Sequence, residues 1–179
     1  MSALINLGIS ACLLGENVRY DGALKLNRCI IDTLGPHFSF LPVCPEVECG
    51  MPTPREAMRL EGDQADPRLI AINSRADKTL QMKDFSAVKV KNLEDEHLCG
   101  FILKERSPSC GLTTVPLHDG SGFERFTLGM FAREVTRCFP LMPLEEAERL
   151  ENPDIRKDFI ERVVLYHREK YLAEKWVLH

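Results

Sequence analysis

The sequence predicts an α/β protein, a mostly parallel sheet flanked by helices. Three short apolar runs, Ala3–Ile9, Phe38–Val43 and Gly100–Lys104, have the length and bounds of buried strands, and each closes on turn-forming residues. Helical patterns lie between them, and alternation of strand with helix is the signature of parallel βα units. A chain of 179 residues, 44% hydrophobic and 28% charged, fits one globular domain that needs no covalent staple to hold its core.

Each element has a local reason. Ala3–Ile9 runs into Ser10-Ala11-Cys12 and a turn near Gly15, and Val18–Gly22 reads as a loop. Asn27 is placed to cap a helix through Cys29, Ile30, Ile31 and Leu34, which Gly35-Pro36 stops. Phe38–Val43 closes on Cys44-Pro45-Glu46. The following Gly50-Met51-Pro52-Thr53-Pro54 is irregular, because each proline restricts itself and its predecessor. A weak strand is expected at Leu69–Ile72 and a helix over about Lys83–Leu98. Gly100–Lys104 closes on Ser107-Pro108-Ser109-Cys110-Gly111. Asp119–Gly122 reads as a turn and Thr127–Cys138 as a helix. Asn152-Pro153-Asp154 opens a last helix, with Ile155, Phe159, Val163 and Tyr166 at helical spacing, and the chain runs out in an apolar stub, Trp176–His179. The expected architecture is a Rossmann-like three-layer domain over residues 1–140. Residues 141–179 form a charged helical extension that packs on it or on a missing partner domain. Ligands of such sheets sit beyond the carboxyl ends of the strands.

Composition excludes several functions. A net charge of −4 leaves no basic excess to neutralise phosphates, which argues against nucleic acid and anionic membrane as partners. With 7% aromatic residues and one tryptophan there is no stacking stripe for single strands. The apolar stretch Ile5–Leu14 is interrupted by Asn6, Gly8 and Ser10, lacks a basic leader, and falls short of the ~20 residues of a membrane helix. Seven cysteines are many, and an odd number in a chain this long does not read as a secreted disulfide scaffold. The expected location is cytoplasmic with reduced thiols, so the cysteines that matter bind metal or react.

Topology sorts those cysteines. Cys12, Cys44 and Cys110 each follow the carboxyl end of one of the three best strands, and in a parallel sheet those ends share one edge. Cys99 precedes its strand and belongs at the other edge. Cys29 and Cys138 fall in helices, where a lone cysteine behaves as a small hydrophobe. Cys49, five residues past Cys44, is the one rival. Three convergent thiolates serve zinc, thiol redox chemistry or an iron–sulfur cluster. No Cys-x-x-Cys pair is present, which disfavours a zinc ribbon and a thioredoxin-type motif, and His37, His97, His118, His167 and His179 show no ligand spacing. Thiolates are the usual protein ligands of iron–sulfur clusters.

Four motifs occur in order: Ile-Ser-Ala-Cys12-Leu-Leu-Gly-x-x-Val-Arg-Tyr-Asp-Gly22, Pro-Val-Cys44-Pro-Glu46, Met-Pro-Thr-Pro-Arg55, and Ile-Leu-Lys-x-x-Ser107-Pro-Ser-Cys110-Gly111. Together they resemble the thiouracil desulfidase (TudS-like) family over residues 5 to 135. Gly129-Met-Phe-Ala132 through Phe139-Pro140, Pro143-Leu-Glu-Glu-x-x-Arg-Leu150 and Asn152-Pro-Asp-x-Arg156 look like its two-domain branch, in which a helical domain follows. The resemblance implies a 4Fe–4S cluster held by Cys12, Cys44 and Cys110 with one open iron. It also implies a small thiolated pyrimidine-like substrate, water attack and release of hydrosulfide. By place in the motifs it implies Glu46 as the assisting carboxylate and Ser107 as a substrate-positioning residue. Arg19, Tyr20, Arg55 and Ser109 are further candidates for substrate contact, although Arg19 with Asp21 equally suits an ion pair within the loop, and Arg55 and Lys104 suit loop anchors beside an anionic cluster. Cys49 departs from the family pattern, and as a fourth ligand it would close the cluster. Residues 75–98 match the single-domain members poorly. The competing readings are a cluster-bearing accessory module without turnover, and a sulfurtransferase carrying a persulfide on one thiol.

Overall fold

The computed structural model describes residues 4–122 and 124–172. β1 (Ile5–Ser10) leads through a 3₁₀ turn, Ala11–Leu14, and a loop to α1 (Arg28–Leu34), where the Asn27 side chain accepts from the Ile30 N–H at 3.1 Å. β2 (Phe38–Val43) and the single-turn α2 (Pro45–Glu48) follow, then β3 (Met58–Gly62), β4 (Pro67–Ala71) and α3 (Thr79–Asn92). A 3₁₀ turn, Leu93–Glu96, joins α3 to β5 (Leu98–Leu103). β6 (Val115–His118), β7 (Arg125–Thr127), α4 (Met130–Cys138), β8 (Leu144–Glu146) and α5 (Pro153–His167) complete the order, with a π turn at Arg168–Leu172.

The main sheet has the order β2-β1-β5-β8 and is parallel throughout. All six residues of β5 are buried, as a central parallel strand covered on both faces requires. One face packs α1 and α5 through Leu7, Ile9, Ile30, Leu34, Phe159 and Val163, and the other packs α3 and α4 through Val90, Phe101, Phe131 and Val135. That is the expected three-layer α/β architecture. In the register Gly8 stands opposite Phe101, whose ring fills the space where a side chain at position 8 would lie.

A second, mixed sheet, β4-β3-β6-β7, has no counterpart in the sequence reading beyond the weak strand now seen as β4. It carries its own small core of Leu60, Leu69, Met82, Val115, Leu117 and Met130. Its strands are three to five residues long, and Gly, Pro and charged residues interrupt their alternation, so no period-two pattern survives.

Other boundaries also move. β5 begins at Leu98, so Cys99 lies inside the strand at its amino end rather than before it. The helix expected over 83–98 is α3 at 79–92, and α4 starts at Met130 because residues 125–127 pair as β7. The segment expected to open a helical extension at 141 instead supplies β8, the edge strand of the main sheet, and α5 then packs on that sheet. Asn152 caps α5 by accepting from the Asp154 and Ile155 N–H groups. The apolar stub Trp176–His179 lies outside the described residues. Among those described, no helix is long and apolar enough to cross a membrane.

Gly8→Ala forces a methyl into the Phe101 ring at the centre of the sheet. The expected loss is about 1–3 kcal/mol of stability, read as a lowered midpoint in denaturant unfolding with an unchanged slope.

Candidate active site

Each of the three carboxyl-end cysteines is presented by a different device. Cys12 sits in the 3₁₀ turn that follows β1, a turn closed by Gly15 at a positive φ of 80°. Cys44 follows β2 directly and caps α2 from outside, its N–H donating to Glu48 Oε1 at 2.9 Å. Cys110 lies on the loop after β5. There the Ser107 hydroxyl accepts from the N–H groups of Ser109 (3.2 Å) and Cys110 (3.1 Å), a turn that serine side chains form readily. Because the strands are parallel, these devices share one edge, and all three cysteines line a single cleft of about 240 Å3.

The remaining cysteines stand elsewhere. Cys29 belongs to α1, Cys99 to the core and Cys138 to the end of α4. Cys49 is not among the residues lining the cleft. Its Sγ contacts the Glu46 carbonyl at 3.2 Å and packs against the small core of the second sheet. It therefore stands apart from the three thiols that line the cleft.

Burial sets the protonation of the three thiols. Desolvation, followed by the neighbouring Cys44, pushes Cys12 up to about 11. Burial raises Cys44 as well. Cys110 rises furthest, through burial, with the Ser10 hydroxyl opposing the rise and Cys12, Glu46 and Cys44 adding to it. The thiols therefore hold their protons more tightly than a free cysteine and are near enough to repel one another as thiolates. A soft metal group that takes all three must displace three protons, and pairing with its positive charge replaces the lost solvation. Among the described residues no three such side chains are grouped tightly enough for one metal ion. Thiolates are the usual protein ligands of iron–sulfur clusters, so a donor set made only of cysteines suits such a cluster chemically.

Glu46 is buried at the cleft wall. Its Oε2 accepts from Arg55 Nε at 2.7 Å and its Oε1 from the Ser109 hydroxyl at 2.8 Å, which fixes both oxygens. Arg55 is fully engaged: besides Glu46 it donates to the carbonyls of Val18 (2.9 Å) and Pro52 (3.2 Å) and to the Thr53 hydroxyl (3.3 Å). It ties the loop after β1 to the segment after α2, the anchor expected of it, and has no spare donor aimed at a substrate. Ser109 is completely buried, bonded to Glu46, and is not among the residues lining the cleft, whereas Ser107 is. Arg19 pairs with Asp21 at 2.9 Å, and its guanidinium lies 5.9 Å from the Tyr20 ring at the cleft mouth.

Two further wall residues were invisible in the sequence, Glu105 and Arg106, which fill the unspecified places in Lys-x-x-Ser. Lys104 pairs with Glu105, and Arg106 pairs with Glu148 at 2.8 Å. Burial works to raise the Glu105 carboxyl, yet the Lys104 ammonium and backbone donors hold it below its ordinary value. The signal for both was their position between a strand end and a site loop, which is generic and weak.

The chain is thus a parallel α/β protein with three thiols and an anchored carboxylate gathered at the carboxyl edge of its main sheet. The family model of 2-thiouracil desulfurase matches residues 7–147, well over half of the chain, and the protein belongs to that family. Among solved structures it is similar to a [4Fe-4S]-dependent thiouracil desulfidase, TudS, at 28% identity and a TM-score of 0.66, over 82% of this chain and 93% of that one. Comparison with curated proteins gives no match.

Removing one member of the buried Arg55–Glu46 pair strands the other charge. Arg55→Ala is expected to cost about 3–5 kcal/mol, and Arg55→Met combined with Glu46→Leu to recover much of it, as measured by denaturant unfolding of the metal-free protein.

Proposed function

We propose that this chain is an iron–sulfur-dependent desulfidase. Cys12, Cys44 and Cys110 would hold a 4Fe–4S cluster whose fourth iron has no protein ligand, and the substrate is a small thiolated pyrimidine-like molecule that loses its sulfur as hydrosulfide. The observation that carries the reading is the convergence of three thiols, with Glu46 beside them and no fourth cysteine, on one small cleft. Membership of the family and the likeness to TudS support the cofactor and the substrate class.

When bound, the cluster supplies a Lewis-acidic site for the soft thiocarbonyl sulfur, weakening the C–S bond without net electron transfer. The chain supplies the rest. Glu46, aimed by Arg55 and Ser109, takes a proton from a water that attacks the thiocarbonyl carbon; the new C–O bond replaces the C–S bond, and sulfur leaves as hydrosulfide. The Ser107 oxygen already accepts two N–H bonds, so its remaining role is to donate its own proton to a substrate acceptor. Ala11, Val18 and Val43 give the cleft apolar walls against which a flat ring can displace water.

Charge supports a neutral substrate. The four cations that line the cleft, Arg19, Arg55, Lys104 and Arg106, each have a carboxylate partner, so none is left to recruit an anionic ligand. The seven free cysteines suit a reducing compartment, in keeping with a cytoplasmic location.

Anaerobic reconstitution should give a brown protein that releases sulfide from 2-thiouracil. Cys12→Ala, Cys44→Ala and Cys110→Ala should each lose iron. Glu46→Gln should keep its iron while sulfide release falls by roughly 10²–10⁴-fold. Iron-loaded protein that releases no sulfide from any thiolated base would sink the enzymatic reading in favour of an accessory module. Iron-free protein that accepts sulfur would point to persulfide transfer.

A further inference from the structure

The Glu146 carboxylate takes no part in the chemistry above, yet it is 2% exposed and fully engaged. It stands at the last position of β8, on the carboxyl edge of the main sheet, paired in register with Leu103. Its Oε1 accepts from the N–H groups of Leu112 (2.8 Å) and Thr113 (3.3 Å) and from the Thr114 hydroxyl (3.3 Å); its Oε2 accepts from the Thr113 hydroxyl (3.1 Å). Every one of these donors lies within four residues of Cys110, on its carboxyl side.

The same loop is gripped from its other side by α4. The first N–H groups of that helix have no side-chain cap and donate to the loop instead. Met130 bonds the Pro108 carbonyl at 2.9 Å, and Phe131 and Ala132 bond the Ser109 carbonyl at 2.9 and 3.1 Å. Gly129 donates to the Gly111 carbonyl at 2.7 Å, and a Cβ on it would strike the Ser109 and Cys110 backbone. Cys110 is thus suspended between a helix terminus and a buried carboxylate.

We infer that Glu146 is a positioning residue for Cys110, holding the loop so that its thiol faces the cleft before any metal arrives. The assignment of Cys110 as a cluster ligand rests on the proposed function, whereas the positioning of the thiol does not. The reason is one of satisfaction. A buried carboxylate recovers its lost hydration only when all its donors are in place, so the loop has one low-energy arrangement. Partners that orient metal ligands typically change metal affinity by 10–100-fold when removed. The neighbouring Glu145 provides a control: it is also buried but pairs with Arg149 (2.8 Å) and Arg162 (3.5 Å), and its one bond to position 146, accepted from that residue's N–H at 3.1 Å, can be kept by the Oε1 of a glutamine.

The test compares Glu146→Gln with Glu145→Gln in three measurements: thermal melting, iron retained by the reconstituted protein under a ferrous chelator, and alkylation of each cysteine in the metal-free protein followed by peptide mass spectrometry. Glu146→Gln is expected to lose iron roughly 10–100-fold faster than wild type and to alkylate Cys110 faster with Cys12 and Cys44 unchanged. Glu145→Gln is expected to do neither at a comparable loss of melting temperature. Iron loss that tracks melting temperature in both variants, or unaltered Cys110 alkylation in Glu146→Gln, overturns the inference. Should Glu146→Gln fail to fold, Thr113→Val, which removes one of the four bonds, replaces it: a smaller change in the same direction supports the inference and wild-type behaviour overturns it. Wild-type protein that takes up no iron defeats the proposed function, while the alkylation comparison still decides whether Glu146 positions the thiol.

Discussion

The structure depends on the parallel alignment of β1, β2 and β5. Side chains 12, 44 and 110 are far apart in sequence, and only a shared strand direction delivers them to one edge. That alignment depends in turn on close packing at the sheet centre, where Gly8 yields its volume to Phe101 and a fully buried β5 takes helices on both faces. Reversing any one of these strands would send its cysteine to the far side of the sheet, and the cleft would lose a wall.

At the edge itself, the cost of gathering charge is spread over many small pairings. Three thiols, one buried and two half-buried, resist ionisation, and the cations around them are each tied to a carboxylate rather than left bare. The result is a cleft whose cations are each balanced by a carboxylate. Arg55 illustrates the economy of the design, since one guanidinium orients Glu46 and also joins two loops that carry different cysteines.

Three of the four strands of the main sheet were legible because they are short, mostly apolar runs bounded by turn residues, and the cysteine triad was legible because each thiol follows such a run. Cys49 looked like a rival for the opposite reason: sequence proximity to Cys44 says nothing of direction, and the single turn of α2 points it into another core. Ser109 looked like a substrate contact because it neighbours Cys110, whereas the Ser107 turn directs it inward to Glu46. The second sheet escaped notice because short strands with interrupted alternation leave no period to read. β8 escaped because its three residues, Leu-Glu-Glu, bury two carboxylates that composition alone assigns to solvent.

By itself the sequence determined the fold class, the cap at Asn27, the helix that opens at Asn152-Pro153-Asp154, and which three cysteines gather, because these follow from local periodicity and from the rule that parallel strands share an edge. Only the tertiary structure decided which polar groups serve those cysteines. The partners of a buried carboxylate such as Glu46 or Glu146 are chosen by what the packed chain brings within hydrogen-bond distance, and that choice leaves no periodic trace along the chain.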